Sequence, residues 1–253
     1  MRGGAQAHLI ETTDGSSYVV KFTNNPQHSR VVINERLASL ILRQLGIATP
    51  EPAVVNISAD FIRDNPEVYM GHASHRVLPT CGAHFGSRFP KGPMAVYDFI
   101  PDAILGNVAN LFDFSAVLVV DKWLGNTDHR QAIFFRRHGI HSPFVAQMID
   151  NGSAFDGFHW NFRDSPTIGP YFRSVYQRVQ GIESFEPWLT QVAIFPEAIL
   201  REAFHQTPIS WREGDIETAF ERLLCQLMRR RGRVSDLICA CHSQPTNPFP
   251  NWP

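Results

Sequence analysis

The chain has 253 residues, which is long enough for one large domain or for two lobes that share a cleft. Apolar residues make up 43% and charged residues 19% of it, and this composition excludes a chain that is disordered throughout. A formal net charge of -1 gives no overall attraction to nucleic acid or anionic lipid, so we predict no nucleic-acid partner.

The cysteine content and the absence of targeting signals bear on the compartment. The four cysteines are unevenly placed: Cys81, Cys225, Cys239 and Cys241. No basic, apolar and small-residue segments follow one another at the N-terminus as they do in a secretory signal. These features predict a protein of the reducing cytoplasm. No apolar run approaches the length needed to cross a bilayer, so we predict no membrane span.

The N-terminal segment is typical of a β-hairpin whose two strands are joined at Asp14 and Gly15. A small-residue run precedes the first strand: Gly3, Gly4, Ala5 and Gln6. Backbone N–H groups of such a run can approach a phosphate closely, and Lys21 at the end of the second strand could reach the same phosphates. The alternative is an ordinary turn followed by a solvated lysine, because both features are common.

Apolar residues recur at helical spacing over residues 30–45, and Gly46 and Pro50 end the predicted helix. Glu35 lies in the first half of this helix. A glutamate there could pair with Lys21 and hold the ammonium over the phosphates. Alternatively, Glu35 caps the helix or faces water.

Residues 53–57 and 94–100 are β-rich runs separated by a segment that bears Gly, His and Pro. The second run ends at Pro101, which suits a connector between two lobes. The backbone of such a connector would face an adenine ring, so we predict Tyr97 and Phe99 at the cofactor site. The predicted N-terminal lobe therefore spans residues 1–100, the C-terminal lobe 101–242 and an irregular, proline-rich tail 243–253.

The most informative segment follows a predicted buried helix at residues 113–125. It places two carboxylates, Asp128 and Asp150, at opposite ends of one predicted hairpin, and Gly152 permits the turn that carries the second. This pattern is typical of phosphoryl transfer, in which one carboxylate orients a hydroxyl and another holds the metal on the nucleotide phosphates. Helices are predicted over the remaining half, after a Gly- and Pro-rich segment at 157–170 that could be a substrate-side loop.

Five motifs in order resemble those of HipA-like kinases and, more distantly, of type II phosphatidylinositol 4-kinases. They are the phosphate loop Gly3-Gly4-Ala5-Gln6, the strand Val20-Lys21-Phe22, the helix segment Asn34-Glu35-Arg36-Leu37-Ala38, the catalytic loop Gly125-Asn126-Thr127-Asp128 and the turn Ile149-Asp150-Asn151-Gly152. The resemblance implies an α+β, two-lobed kinase-like fold with a small β-rich N-terminal lobe and a mostly helical C-terminal lobe.

The resemblance also implies ATP and Mg²⁺ as cofactors. Asp128 would be the catalytic carboxylate, Lys21, held by Glu35, would grip the nucleotide phosphates, and Asp150 would bind the metal. It further implies a protein Ser or Thr as the acceptor, whose identity the sequence leaves unknown. A HipA-like kinase usually has a DNA-binding antitoxin partner, but this chain shows no helix-turn-helix signal, and we do not predict that partner.

One position departs from the family pattern. The metal-binding Asn expected five residues after Asp128 is Ile133, which cannot ligate magnesium. Gln131 could substitute through its amide oxygen, or one metal held by Asp150 could suffice. The alternative is a pseudokinase that binds nucleotide and regulates an interaction without transferring phosphate. A small-molecule or lipid kinase is a further alternative, which an open acceptor groove lined by Trp160 and Phe162 would favour.

Arg130 beside the catalytic loop has two possible roles. It could neutralise the transferred phosphate, or it could brace the loop by pairing with Asp121 or Asp150. The structural role is favoured.

Overall fold

The computed structural model describes residues 6–72, 75–92, 94–136 and 142–253. Its N-terminal part is a four-stranded antiparallel sheet of order β1-β2-β6-β3. The strands are β1 (His8–Glu11), β2 (Ser17–Lys21), β3 (Pro52–Ile57) and β6 (Gly82–Arg88). A separate hairpin, β4 (Met70–His72) with β5 (His75–Val77), is inserted before β6. The hairpin of β1 and β2 confirms the sequence-based prediction.

Strand β6 lies between two partners, yet the sequence pattern did not predict it. It pairs with β2 on one side and with β3 on the other. Its sequence, GAHFGSR, has two glycines and no clear alternation of apolar and polar residues. Strand formation here therefore depends on the two neighbouring strands, which supply the hydrogen bonds that local sequence preference does not predict.

A second, three-stranded antiparallel sheet has the order β7-β8-β9. Its strands are β7 (Val96–Tyr97), β8 (Gln131–Phe135) and β9 (Val145–Ile149). The predicted hairpin of β8 and β9 is confirmed. The predicted strand over 94–100 is wrong in extent, because only two of its residues pair, and they pair with β8 rather than with the N-terminal sheet.

The helices are α1 (Arg30–Gln44), α2 (Ala59–Asp64), α3 (Asp113–Leu124), α4 (Trp188–Ala193), α5 (Glu197–His205), α6 (Ile216–Arg230) and α7 (Val234–His242). Short 3-10 turns cover Asp102–Asn107, Arg173–Tyr176, Ile182–Phe185, Ile209–Trp211 and Arg231–Arg233. The predicted helices at 30–45 and 113–125 are confirmed to within a residue. None of the helices in the described ranges is long and apolar enough to cross a membrane.

Two apolar cores hold the fold together. A small one covers one face of the N-terminal sheet and contains Ile10, Val20, Phe22, Val55, Ile57 and Met70. The large one surrounds α3, whose side chains are buried on every face, as expected for a helix that is apolar all round. Helix α1 packs into this large core together with the C-terminal helices. The lobe boundary at residue 100 stays a prediction, because α1 joins the two parts by packing.

Candidate active site

The hairpin of β8 and β9 brings the two predicted site carboxylates to one edge of its sheet. Its antiparallel register pairs Gln131 with Ile149. The loop that carries Asp128 enters β8 at this edge, and Asp150 leaves β9 at the same edge. Along the chain, one residue precedes the hairpin and the other follows it. In space, both lie at the same end of the hairpin, where β8 begins and β9 ends. Both line one cavity of about 400 Å³.

Lys21 bridges two carboxylates from different parts of the chain. Its Nζ donates to Asp150 Oδ1 at 2.6 Å and also to Glu35 Oε1. Val19 and Lys21 line a second cavity, described below, whereas Val20 between them is buried in the small core, as the alternation of a strand requires. The predicted pairing of Lys21 with Glu35 is confirmed, and it extends to the residue predicted to hold the metal.

The three charged groups have shifted pKa values. Burial lowers the pKa of Lys21, but the charges of Glu35 and Asp150 outweigh it and raise that pKa above its ordinary value. Burial likewise raises the pKa of Asp150, and the Lys21 ammonium more than reverses this, so the pKa of Asp150 is lowered. For Glu35, which is only 2% exposed, burial prevails over the attraction of Lys21 and the pKa is raised.

Glu35 also fixes the turn that follows β9. Its Oε2 accepts from the backbone N–H of Asn151 at 3.0 Å. One helical turn further along α1, Ser39 Oγ accepts from the amide Nδ2 of Asn151 at 3.2 Å. The helix therefore positions Lys21 through one glutamate oxygen and the turn of Asp150 through the other.

Asn34 is a structural residue of the site that the sequence analysis quoted but gave no role. Its Nδ2 donates to the carbonyl oxygens of Gly152, Ala154 and Gly157 at 2.9, 3.0 and 2.8 Å. Its Oδ1 accepts from the indole N–H of Trp160 at 2.8 Å. Asn34 is fully buried. No local pattern could reveal this role, because every partner lies more than a hundred residues away in the chain.

The turn after β9 needs Gly152 for a reason other than the predicted one. The residue with left-handed backbone is Asp150, whose φ is 61°. Gly152 is required by close approach instead, since a Cβ there would lie 2.9 Å from Val31 Cγ1 and 3.2 Å from Glu35 Oε1. The left-handed conformation of Asp150 turns the chain sharply at the point where the carboxylate meets Lys21.

The catalytic-loop segment begins at the end of α3. Gly125 ends that helix with a left-handed φ of 59°, and a Cβ at this position would overlap the ring of Phe162. Asn126 donates to Asp121 Oδ1 at 3.1 Å and accepts from the backbone N–H of Asp128 at 3.2 Å. Asp128 itself is exposed, and its Oδ1 accepts from the backbone N–H of His129 at 2.7 Å.

Arg130 braces this loop, and the favoured structural role is confirmed. It forms a buried ion pair with Asp121, in which Nε lies 3.0 Å from Oδ2 and Nη2 bonds Oδ1. Its Nη1 donates to Ile149 O at 2.9 Å and to Asn151 Oδ1 at 2.8 Å. One guanidinium thus ties α3 to the end of β9, and it is not free to neutralise a phosphate.

A second cavity, of about 470 Å³, lies on the other side of Asp150. Val19, Ile133 and Ile149 contribute apolar walls, while Lys21, Glu35 and Asp150 lie among its polar lining. Its size and its mixture of apolar walls with a few charged groups suit a nucleotide. Gln6 lines it too, and the Gln6 side chain accepts from the backbone N–H of Gly71. The predicted phosphate-loop residues Gly3, Gly4 and Ala5 lie outside the described residues.

Tyr97 and Phe99 are not placed in the wall of this cavity. The wall is formed there by their neighbours Val96 and Asp98. The Tyr97 ring packs edge-on against Phe144, with 5.8 Å between ring centroids. Alternation along β7 turns neighbouring side chains to opposite sides, so only the backbone of Tyr97 stays next to the cavity edge. A cofactor contact of either ring therefore stays a prediction without geometric support.

Gln131 lies beside the residue predicted to hold the metal. Its amide Nε2 donates to Asp150 Oδ2 at 2.8 Å, and Ile133 two residues further along β8 lines the same cavity. Asp150 uses both oxygens for hydrogen bonds, and a carboxylate of this kind fits Mg²⁺, which prefers oxygen ligands. Rotation of the Gln131 amide by half a turn would present its oxygen instead, and metal binding by Gln131 stays a prediction.

The two aromatic residues expected in an open acceptor groove have structural positions instead. Trp160 is 5% exposed and is hydrogen-bonded to Asn34. Phe162 packs on Gly125 and lies under the guanidinium of Arg230, 4.9 Å from ring centroid to Cζ. An open groove lined by Trp160 and Phe162, which would favour a small-molecule or lipid kinase, is therefore not found in the described residues, because both rings support the loops that carry the carboxylates.

The architecture is that of a protein-kinase-like fold, in which a β-rich part and a helical part meet at the site. This confirms the predicted α+β fold class. Comparison with family models gave no match, and comparison with curated proteins gave none either.

Two solved structures show the likeness in detail. The crystal structure of the Golgi casein kinase is similar over 97% of this chain and 72% of that chain, with a TM-score of 0.53 and 14% identity. The structure of hydra Fam20 with sugar is similar over 95% of this chain and 82% of that chain, with a TM-score of 0.55 and 12% identity. At these identities the likeness establishes the fold alone. The finer resemblance to HipA-like kinases is not among these findings and stays a prediction.

Proposed function

We propose that the protein is an ATP-dependent phosphotransferase that transfers the γ-phosphate to an acceptor hydroxyl. One observation carries this proposal: the Lys21 ammonium lies between Glu35 and Asp150, at the sheet edge where the Asp128 loop also enters. Phosphoryl transfer depends chiefly on positioning and on charge neutralisation, and these groups are a sufficient minimal set for both.

Each residue has a distinct part in the proposed mechanism. Lys21, held by Glu35, would contact the nucleotide phosphates, and Asp150 would hold Mg²⁺ with Gln131 beside it. When bound, the metal supplies positive charge that offsets the charge developing on the phosphoryl oxygens. Asp128 orients the acceptor hydroxyl, and no donor to its Oδ2 is found in the described part of the chain, so this oxygen is available to accept the hydroxyl proton.

The acceptor is proposed to be a protein Ser or Thr, and the relationship to HipA-like kinases is part of the same proposal. Both rest on the order of the five motifs and on the fold-level likeness to kinases.

Labelled-phosphate transfer from ATP, measured with Mg²⁺ or Mn²⁺, tests the function. We expect autophosphorylation or acceptor labelling, with release of ADP, in the wild type. Both signals should be lost in Asp128→Asn and in Asp150→Asn, because neither amide can replace the charge of its carboxylate. Asp236→Asn is the matched control, since it removes the same charge from an exposed position on α7. Turnover equal to that of the wild type in the Asp128 and Asp150 variants would refute the assignment.

The alternative is a pseudokinase that binds nucleotide to regulate an interaction. Ile133 supports it, because this cavity-lining residue stands where the kinase pattern has a metal-binding Asn. Tight Mg²⁺-dependent ATP binding without any ADP release would favour this alternative over the enzyme.

A further inference from the structure

The cavity on the Asp128 side of the site carries an excess of negative charge. It is lined by three carboxylates, Asp128, Asp150 and Asp156, and no lysine or arginine is among the residues that line it. Asp150 also lines the nucleotide cavity, where it pairs with Lys21. The charges of Asp128 and Asp156 are left without an ion-pair partner among the described residues.

Asp156 is the unusual member of this set, and it belongs to none of the five sequence motifs. The residue is 7% exposed, and no hydrogen bond to either of its carboxyl oxygens is found in the described residues. Its Oδ2 is shut off from solvent without a partner. Buried carboxylates are normally satisfied by donors, and Asp156 lines a cavity from which a ligand can bring one. Because Oδ2 is shut off, Oδ1 is the oxygen that such a donor would reach.

The backbone holds Asp156 in a fixed position relative to the catalytic loop. Its N–H donates to Gly125 O at 3.0 Å, and the N–H of Phe155 donates to Leu124 O at 2.7 Å. On the other side, Asn34 holds the carbonyl of Gly157 at 2.8 Å. The backbone of Asp156 is therefore tied to the segment that carries Asp128.

The nearby cations do not neutralise it. Burial raises the pKa of Asp156, and His159 and Arg163 lower it only in part. Arg163 is exposed, and no ion pair joins it to Asp156. A cation bound next to Asp156 would compensate for this burial directly.

We infer that Asp156 is an acceptor-binding residue. It selects an acceptor that carries a positively charged nitrogen next to the hydroxyl that receives the phosphate. The inference deepens the proposed phosphotransferase function and rests on it. The carboxyl of Asp156 accepts a charge-assisted hydrogen bond from the acceptor's ammonium or guanidinium group, while Asp128 orients its hydroxyl. Acidic acceptors are disfavoured, because a carboxylate or phosphate next to the hydroxyl would meet two unneutralised carboxylates.

Peptide binding tests this specificity. Three fluorescent peptides share a central Ser and differ only in flanking Lys, Ala or Glu residues. Their affinities are measured in the presence of Mg²⁺ and a non-hydrolysable ATP analogue. We expect the basic peptide to bind at least about tenfold more tightly than the acidic one, and Asp156→Asn to remove most of that ratio. Asp236→Asn, which removes the same charge from exposed α7, should keep the ratio.

A second experiment tests whether the positively charged acceptor is a small molecule rather than a peptide. An amino sugar is compared with its neutral counterpart under the same conditions. In one outcome, the amino sugar binds through Asp156 while the three peptides bind equally well. This result would show that the positively charged acceptor is a small molecule, and it would still support the role of Asp156. Equal binding of basic and acidic peptides together with equal binding of both sugars would overturn the inference.

Transfer assays separate this inference from the proposed function. Phosphate transfer that is equally fast to basic and acidic peptides, in wild type and in Asp156→Asn, would leave the kinase standing and refute the specificity. Selective binding of a basic ligand through Asp156 without any transfer would refute the kinase and leave the binding site standing. ATP-analogue affinity should be unchanged in Asp156→Asn, because Asp156 does not line the nucleotide cavity.

Discussion

Replacing Asn34 by Ala tests whether a buried amide positions the metal-binding turn. The substitution removes three bonds donated to carbonyls and one accepted from Trp160. At about 1 kcal/mol net for each hydrogen bond, with two amide protons shared among three carbonyls, the loss is about 3–4 kcal/mol. For a chain of this length, each kcal/mol lowers the unfolding midpoint by about 2–4 °C. We expect the midpoint to fall by about 10 °C.

The functional consequence follows from what those carbonyls hold. The turn that Asn34 clamps carries Asp150, so its loosening should weaken binding of a Mg²⁺–ATP analogue by about tenfold or more. Thermal unfolding gives the stability change. Calorimetric titration of the analogue, at a temperature where the variant is still folded, gives the affinity.

Asn110→Ala is a matched control, because Asn110 binds β9, the strand that leads into the turn held by Asn34. Asn110 Nδ2 donates to Ala146 O and to Asp113 Oδ2, and its Oδ1 accepts from Ala146 N, each at 2.8 Å. It does not line either cavity of the site. We expect a comparable loss of stability with unchanged nucleotide affinity. An Asn34→Ala protein with wild-type affinity, or an Asn110→Ala protein with an equal loss of affinity, would refute the reasoning.

Three further variants test the start of the catalytic loop, the ion pair of Asp150 with Lys21, and Ile133 at the position where the kinase pattern has Asn. Gly125→Ala should lower the free energy of unfolding by about 1–3 kcal/mol or more, since φ is left-handed and a Cβ would meet the Phe162 ring; wild-type stability in urea would contradict this. The pairing of Asp150 with Lys21 outweighs burial and lowers the pKa of Asp150. The ion pair therefore stabilises the folded state fully above the ordinary pKa of 3.8, and this contribution is lost as the pH falls through the lowered pKa. The stability difference between wild type and Asp150→Asn should therefore shrink when urea unfolding is repeated from about pH 6 to about pH 3, and a constant difference would exclude the pair. Ile133→Asn puts an amide oxygen into the wall of the nucleotide cavity and should raise Mg²⁺-dependent turnover; unchanged metal dependence would show that the position plays no part in binding.

The sequence by itself determined the groups that chemistry would use. Lys21 at a strand end, Glu35 on the following helix, and Asp128 and Asp150 flanking a hairpin are each fixed by local periodicity and turn residues. The structure brings Lys21, Glu35 and Asp150 into contact, and Asp128 shares a cavity with Asp150. Local signals placed each residue on its strand, helix or turn, and the order of the five motifs favoured the site over the alternative roles of Lys21 and Glu35.

Only the tertiary structure decided which residues support the site. The side chains of Asn34 and Trp160 are joined by a hydrogen bond between distant parts of the chain, and Asp156 is buried without a donor to its Oδ2. Whether a polar side chain is buried, and whether a donor reaches it, depends on the packing of segments that are distant in sequence. For the same reason β6 is a strand despite its two glycines: two neighbouring strands supply its hydrogen bonds, and its own sequence does not reveal them.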